Sequence, residues 1–288
     1  MKKKRIIILG SSGIISKNLQ IKLKSKNLKS LVFGKKQIDL KKKNSFKKLK
    51  SKIKINDVIV FISAEAPVKN LQMLKNNIDI CINFCKSTEK EFIKKLIYIS
   101  SDAVYSDLDT KINENSDTSP TSLHGVMHLM RETMLKAKFD EKLCILRPTL
   151  IYGLGDTHYG YGPNRFLKLA KKNKDIVLFG KGEEKRDHIY IKDLINILFE
   201  CINGKSTGIF NIASGEVKSF YELAKEIINK SKSKSKIFFS KRKGKMPHNG
   251  YRPFNIKLIR QKFKKIKINS IDKGLQNYIS VFWVKKNS

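Results

Sequence analysis

Cysteine, tryptophan and proline are scarce in this chain, whose 288 residues include four cysteines, one tryptophan and six prolines. The cysteines stand in apolar surroundings without the spacing of a disulfide framework, which favours free thiols in a reducing compartment. Cys81 and Cys85 lie one helical turn apart, but no second ligand pair follows at the spacing of a zinc site. We therefore expect core-facing thiols and no bound metal.

Long hydrophobic runs are also absent, since no stretch approaches the roughly 18 consecutive apolar residues of a membrane-spanning helix. The first residues, MKKKRIIILGSSG, imitate a signal peptide only briefly, because the apolar run stops at Leu9 before a glycine. With 40% hydrophobic residues the chain is too apolar for a disordered protein. We expect a folded cytoplasmic protein without a membrane span.

Acidic residues are few: Asp and Glu number 25 against 61 Lys and Arg, which gives a formal net charge of +36. Such a surplus can indicate binding to nucleic acid or to an anionic membrane surface. Only eight of the basic residues are arginine, the side chain that phosphate and base readers prefer. The lysines are spread among many Ile and Asn over the whole chain, so we favour a coding bias and do not expect a nucleic-acid partner.

Short β-branched segments alternate with longer amphipathic segments, which is typical of a parallel sheet covered by helices on both faces. The predicted fold class is α/β, a doubly wound parallel sheet of Rossmann type with a smaller C-terminal substrate lobe. The predicted strands are residues 6–9, 30–33, 57–62, 95–100 and 142–147, and the predicted helices between them are residues 15–26, 45–52, 70–87 and 123–138.

The regular alternation ends near residue 159. We predict a dinucleotide-binding domain over residues 1–158 and a substrate-binding lobe over residues 159–288, with segments near 187–212 returning to the first domain. The lobe is predicted to contain a helix at 164–172 and strands at 176–179, 187–191 and 237–239.

A glycine-rich turn follows the first predicted strand and opens the first predicted helix. Glycines let the backbone approach a pyrophosphate, and the free amides of a helix N-terminus face the anion. The spacing is G-x-x-G-x-x-G with Ser16 in place of the third glycine, and an ordinary strand-to-helix turn is the alternative. The predicted cofactor-binding residues of the turn are Gly10, Ser11, Ser12, Gly13 and Ile14.

Lys35 and Lys36 follow the second predicted strand, where a carboxylate would accept the ribose hydroxyls of NAD. Lysines suit a 2′-phosphate, so the expected cofactor is NADP or NAD, with a slight preference for NADP. Asp39 is placed to cap the adenine amine.

Four blocks then occur in one order along nearly the whole chain: Gly10-x-x-Gly13, YISSDAVY at 98–105, RPTLIYG at 147–153 and RDHIYIKD at 186–193. Together they resemble the extended short-chain dehydrogenase/reductase family of nucleotide-sugar epimerases, dehydratases and reductases. The resemblance implies an enzyme that acts on a nucleotide-linked sugar through a keto-sugar intermediate, in surface polysaccharide biosynthesis. It also implies a possible homodimer through the helix at 123–138.

The same resemblance assigns roles to individual residues. Ser101 would hydrogen-bond the substrate hydroxyl, and Asp102 stands where dehydratases carry a second acid. The implied cofactor contacts are Ser63, Ala64, Asn77 and Pro148. The implied contacts to the diphosphate of the substrate are Asn164, Arg186 and Arg252.

The catalytic Tyr-x-x-x-Lys pair of the family is missing, because His124 replaces the tyrosine and His128 the lysine. Three interpretations remain open. His124 transfers the proton, its ordinary pKa of about 6.5 leaving it partly neutral at pH 7, and His128 holds the nicotinamide ribose or relays the proton. Alternatively the pair binds a metal, although no third ligand is evident. In the third, the chain binds the dinucleotide without turnover, as a sensor or scaffold.

Overall fold

A computed structural model describes residues 4–107, 110–156 and 159–284 of the chain. The chain divides into two compact units. The first draws on Met1–Ser106, Glu114–Pro148 and Ile195–Asn211, and the second on Asp107–Asn113, Thr149–Leu194 and Ile212–Ser288. The domain boundary predicted at residue 158 lies outside the described residues, and the division into a cofactor domain and a substrate lobe stays a prediction.

The elements of the described residues are numbered along the chain. The strands are β1 (Ile6–Leu9), β2 (Ser30–Phe33), β3 (Asp57–Phe61), β4 (Ile93–Ile99), β5 (Leu143–Pro148), β6 (Leu150–Tyr152), β7 (Ile176–Phe179), β8 (Lys185–Tyr190), β9 (Gly208–Ile212), β10 (Val217–Ser219), β11 (Ile237–Ser240) and β12 (Tyr251–Arg252). The α-helices are α1 (Ile14–Ser25), α2 (Ser45–Lys50), α3 (Leu71–Ser87), α4 (Leu123–Phe139), α5 (Pro163–Ala170), α6 (Ile191–Asn203), α7 (Phe220–Ser231), α8 (Lys257–Lys262) and α9 (Ile271–Val284).

A six-stranded sheet with the order β2-β1-β3-β4-β5-β9 forms the centre of the first unit. β1 pairs in parallel with both β2 and β3, so that Ile6 faces Ser30 on one side and Val58 on the other. The chain therefore winds outward from β1 to β2 and then returns past β1 to β3. This reversal is the topological switch point at which doubly wound sheets bind their ligands. The predicted doubly wound fold is confirmed.

Buried apolar residues on both faces of this sheet explain why its strands are continuous hydrophobic runs. All four residues of β1 are buried, and α1 packs its own buried positions Ile15, Leu19 and Leu23 at helical spacing. Ser122 begins α4 by accepting a hydrogen bond from the Gly125 amide at 3.1 Å, as an N-cap residue does. These local signals explain why the five strands and four helices predicted for this part end within two residues of their predicted positions.

The second unit contains a small sheet of β10, β8 and β12, with β6 also paired to β8, and a separate pair of parallel strands, β7 and β11. The strand predicted at 187–191 is β8, which begins at Lys185, and Ile191 begins α6 instead of ending the strand. Among the described residues, none of the helices is both long and apolar enough to span a membrane.

Candidate active site

The turn after β1 requires glycine at its first position. Gly10 has a φ of +108°, and a Cβ atom there would lie 3.0 Å from the backbone nitrogen of Ser63 at the end of β3. The Ser16 hydroxyl donates to the Gly10 carbonyl at 2.6 Å and is fully buried. Serine at the third glycine position therefore fastens the turn to the first turn of α1, which the spacing alone does not reveal.

Space for a phosphate is left where the turn enters α1. Gly13 is the N-cap residue of α1, has no side chain to satisfy the first amides of the helix, and a Cβ atom there would meet nothing within 4 Å. The first amides of a helix have no partner within the helix and attract anions. The turn thus fits a dinucleotide pyrophosphate, and the binding roles of Ser11, Ser12 and Ile14 stay predictions.

The end of β2 is closely packed against this turn. A Cβ atom at Gly34 would lie 2.0 Å from the Ser11 hydroxyl oxygen, so a larger residue there would have to displace the Ser11 side chain. Lys35 and Lys36 are exposed. Asp39 accepts a hydrogen bond from the Lys41 amide at 3.2 Å and so stabilises its own turn. Its contact with adenine stays a prediction.

Asn77 holds the loop that follows β3. Its Nδ2 donates to the carbonyls of Glu65 at 3.0 Å and Met73 at 2.8 Å, and its Oδ1 accepts from the Glu65 amide at 3.0 Å. Because this buried amide is occupied by backbone groups, Asn77 positions the loop that begins with Ser63 and Ala64, and direct contact with a cofactor stays a prediction. Lys41, which was not predicted, forms a hydrogen bond that lowers the pKa of Glu65 in that loop.

α4 approaches the end of β4 as closely as two backbones allow. A Cβ atom at Gly125 would lie 2.0 Å from the Ala103 carbonyl oxygen. Ala103 belongs to a short 3-10 helix, Asp102–Val104, whose N-cap is Ser101. The glycine between the two histidines is therefore what brings α4 against Ser101 and Asp102, two residues predicted to bind or protonate substrate.

His124 occupies the position of the family's tyrosine and is largely buried. Its Nδ1 is enclosed and has no hydrogen-bond partner among the described residues. Burial lowers the pKa of His124, and the nearby Asp102 carboxylate partly opposes this shift. The imidazole is therefore neutral at pH 7 and able to accept a proton.

His128 lies one turn further along α4, with its ring centroid 4.7 Å from that of His124 and the rings nearly perpendicular. Burial, reinforced by His124 and Arg131, lowers the pKa of His128 well below the ordinary value. Tyr98 on β4 contacts Nδ1 of His128 at 2.7 Å. No group of three side chains able to hold a metal is found in the described part of the chain, so the pair lacks a third metal ligand there.

Ser101 and Asp102 stand at the carboxyl end of β4. The Ser101 hydroxyl accepts from the Ala103 amide at 3.1 Å and lies 3.3 Å from Oδ1 of Asp102, which is 6% exposed. Pro148 is buried at the end of the neighbouring strand β5. The structure thus brings Ser101, Asp102 and His124 together, and their catalytic roles stay proposals.

Arg131 is fully buried one turn beyond His128 and was not predicted. Its Nη2 donates to the Ser63 carbonyl at 2.9 Å, and its guanidinium lies 4.4 Å from the Phe61 ring centroid and 5.2 Å from that of Tyr98. In the described residues it has no carboxylate partner. It therefore ties α4 to the end of β3 and adds a positive charge near His128.

In the second unit, the two arginines predicted to bind a diphosphate are neighbours. Arg252 on β12 is in register with Arg186 on β8, and both are buried. Glu184 holds Arg186 at 3.2 Å, and Asp107 holds Arg252 at 3.0 Å. Arg242, which sequence reasoning missed, lies 3.6 Å from Glu184 and adds a third guanidinium. Guanidinium groups in this number suit a diphosphate.

Asn164 is committed to the loop beside it. Its Oδ1 accepts from the Gly153 amide at 2.9 Å, and its Nδ2 donates to Asp156 at 2.9 Å. The side chain therefore shapes the loop after β6, and a direct substrate contact stays a prediction.

A glycine turn at the switch point of a doubly wound sheet is typical of dinucleotide-binding α/β proteins. A model of the NAD dependent epimerase/dehydratase family matches residues 6–213, and the chain belongs to this family of enzymes. The family predicted from the four sequence blocks is thus confirmed.

Individual relatives agree with this membership. ADP-L-glycero-D-manno-heptose-6-epimerase of Fusobacterium nucleatum is 32% identical over 165 residues, which span about half of each protein: 49% of this chain and 47% of that relative. An uncharacterized UDP-glucose epimerase of Bacillus subtilis, YtcB, is 26% identical over 299 residues, 97% of this chain and 91% of that protein.

The solved structure of dTDP-glucose 4,6-dehydratase from Bacillus anthracis in complex with NAD superposes with a TM-score of 0.82 at 17% identity, covering 99% of this chain and 97% of that one. At this identity the likeness shows the fold. The dinucleotide in that structure is NAD, and the slight preference for NADP predicted from Lys35 has no support there.

Proposed function

We propose that this chain is an NAD-dependent epimerase or dehydratase of a nucleotide-linked sugar that passes through a keto-sugar intermediate, with His124 as its proton-transfer group. The observation that carries the proposal is a neutral His124 close to Asp102, on a helix that packs against Ala103 at the carboxyl end of β4. The sugar nucleotides named for the relatives support the substrate class. We propose that the product of the reaction is a precursor of a surface polysaccharide.

The residues of this chain divide the work as follows. Nε2 of His124 accepts the proton of a sugar hydroxyl while Ser101 hydrogen-bonds the same oxygen. The bound nicotinamide supplies the acceptor for the hydride that leaves the sugar carbon and can return it. In the return step His124 gives its proton back to the oxygen. For a dehydratase, Asp102 is the group placed to protonate a leaving hydroxyl.

His128 does not reproduce the lysine that it replaces. A lysine would bring a positive charge, whereas the buried, neutral His128 can offer only a hydrogen-bond donor. We propose that the N–H of His128 binds a ribose hydroxyl and that Arg131 supplies the positive electrostatic potential. His124 itself is neutral at pH 7 because burial lowers its pKa.

Turnover with a panel of UDP-glucose, dTDP-glucose and an ADP-heptose in the presence of NAD tests the proposal, with the sugar nucleotides followed by proton NMR. His124→Gln should lower kcat by about 100-fold or more while NAD still binds. Met130→Gln, an exposed change on the same helix, is the matched control and should leave kcat unchanged.

Two results would count against the proposal. Equal turnover by wild type and His124→Gln would remove His124 from the chemistry. NAD binding without conversion of any sugar nucleotide would favour a sensor or scaffold that holds the dinucleotide only.

A further inference from the structure

The two-stranded sheet of β7 and β11 carries an exposed apolar face in the second unit. Val177 and Phe238 are cross-strand partners and are 50% and 49% exposed, and Phe179 lies two residues further along the same face of β7 and is 45% exposed. We call Val177, Phe179 and Phe238 the apolar platform. Its members are adjacent, whereas single exposed apolar side chains are ordinary on a protein surface.

The segment that contains β11 is strongly basic. Residues 230–245 contain eight basic residues and no acidic one. Among the exposed lysines of this segment, Lys230 pairs with Asp272 at 2.8 Å. The other exposed lysines make no ion pair with another described residue; they are Lys232, Lys234, Lys236, Lys241, Lys243 and Lys245.

The basic surface continues from this segment to α5. The Ser233 hydroxyl donates to the Ala170 carbonyl at 2.7 Å, and the Lys234 amide donates to Asn173 at 2.9 Å, which holds the segment against the end of α5. An open cleft of about 240 Å³ lies on that helix, with the Lys168 ammonium 3.9 Å from the centroid of the Tyr159 ring. Its other basic lining residues are Arg165, Lys172 and Lys174.

We propose that the apolar platform and its lysines dock this protein on an anionic lipid surface. Apolar side chains at the tip of a basic surface can enter the headgroup region while the lysines contact the anionic headgroups. The composition favours lipid over nucleic acid: seven of the eight basic residues in 230–245 are lysine, and the platform includes aliphatic Val177, which has no ring for base stacking. A coding bias towards lysine would explain the positive charge of this segment. It would not explain the exposed apolar side chains beside the lysines.

Co-sedimentation of the full chain with phosphatidylcholine vesicles, with and without phosphatidylglycerol, tests the proposal. We expect partition at least tenfold stronger on the phosphatidylglycerol vesicles, decreasing as salt rises. Val177→Ser combined with Phe238→Ser should weaken it about tenfold, because two apolar side chains no longer leave water. Lys234→Glu combined with Lys236→Glu should weaken it at least as much.

Matched controls separate this surface from the general charge of the chain. Lys24→Glu with Lys26→Glu makes the same change in net charge at exposed positions near the C-terminal end of α1. Ile21→Ser with Ile55→Ser removes two side chains that are each 67% exposed. Both control pairs should change partition less than about twofold. All variants are checked for an unchanged thermal midpoint.

Three results would overturn the proposal. The protein fails to sediment with phosphatidylglycerol vesicles at low salt. The control pairs weaken partition as much as the Val177/Phe238 and Lys234/Lys236 pairs do, which would mean non-specific attraction. Alternatively, a single-stranded RNA binds more tightly than the vesicles and is lost in the Phe238 variant, which would make the surface a nucleic-acid site.

Discussion

The hydroxyl of Tyr98 and Nδ1 of His128 form a hydrogen bond of 2.7 Å. Burial raises the pKa of Tyr98 and lowers that of His128, so both groups are neutral at pH 7. We assign the phenol as the donor, because its O–H has no other acceptor among the described residues, and this leaves the imidazole proton on Nε2. Tyr98 is therefore a positioning residue: it selects the tautomer in which His128 presents an N–H donor.

Tyr98→Phe should leave His128 without that constraint. We expect kcat to fall about fivefold, because one hydrogen bond to a buried group contributes about 1 kcal/mol and its loss frees both tautomers. The nitrogen chemical shifts of His128 should change from a single tautomer to a mixture. Tyr190→Phe, on β8, serves as the control, and unchanged shifts in Tyr98→Phe would refute the positioning role.

Stability should decrease in mild acid because of the buried histidines. The folded-state pKa values of His124 and His128 lie below the ordinary 6.5. Below pH 6.5 the unfolded chain therefore binds protons that the folded chain does not, and each group lowers the free energy of unfolding by up to about 1.4 kcal/mol per pH unit until its folded pKa is reached.

His128→Gln removes one of these contributions, so its unfolding free energy should fall less steeply than that of wild type between pH 6.5 and 5. Urea unfolding at closely spaced pH values measures the slope. Asp187, whose pKa burial raises to about 6, acts in the opposite direction but equally in both proteins. Identical slopes would show that His128 is protonated in the folded state.

The two glycines of the phosphate turn should respond differently to alanine. Gly13→Ala places a methyl group in open space at an ordinary φ of −72°, so stability should change little while NAD affinity falls about tenfold or more if the pyrophosphate fills that space. Gly10→Ala should destabilise the fold itself, by about 1–3 kcal/mol, because of its φ of +108° and the contact with Ser63. Calorimetric NAD titration and thermal melts separate the two effects, and undiminished affinity in Gly13→Ala would place the phosphate elsewhere.

Local patterns carry much of this structure, which is why the strand at 6–9 and the helix at 123–138 could be predicted from hydrophobic spacing, capping and glycine position. The binding turn at Gly10 was equally visible, since glycine there answers a local backbone requirement. Contacts between distant elements could not be predicted in this way. The hydrogen bond between Tyr98 and His128 joins residues 30 positions apart in the sequence, and the one between Arg131 and Ser63 joins residues 68 positions apart.

Asn77 and Asn164 show a different limit. Their positions matched the resemblance, but a matching residue type does not reveal which of its hydrogen bonds are already satisfied. In the folded chain both amides are bonded to their own loops. Only the three-dimensional structure separates a side chain that shapes a loop from one that is free to bind a ligand.

Arg252→Lys should weaken substrate binding without slowing chemistry. Lysine keeps the charge but loses the fork that can hold Asp107 and a phosphate oxygen together. We expect KM for the sugar nucleotide to rise about tenfold with kcat within about twofold, corresponding to the loss of one charge-assisted hydrogen bond. Arg260→Lys, exposed on α8, is the matched control. A fall in kcat at constant KM would move Arg252 from binding to catalysis.

The buried ion pair of Glu132 and Arg147 lies next to the candidate active site. Arg147 donates to both carboxylate oxygens of Glu132, at 2.9 and 2.6 Å, and the Ser100 hydroxyl donates to the same carboxylate at 2.6 Å. Burial alone would lower the pKa of Arg147, but its bonds to Glu132 raise it. The pair thereby anchors α4 to the ends of β4 and β5, next to Ser101.

Glu132→Gln should destabilise the fold by about 3–5 kcal/mol, because it leaves a buried guanidinium without its counter-charge. Glu132→Leu combined with Arg147→Met should cost clearly less, since it removes both charges together. Denaturant unfolding of the two variants beside wild type measures the difference. If the single variant is as stable as the double variant, the guanidinium has found another anion, and the pair does not hold α4 in place.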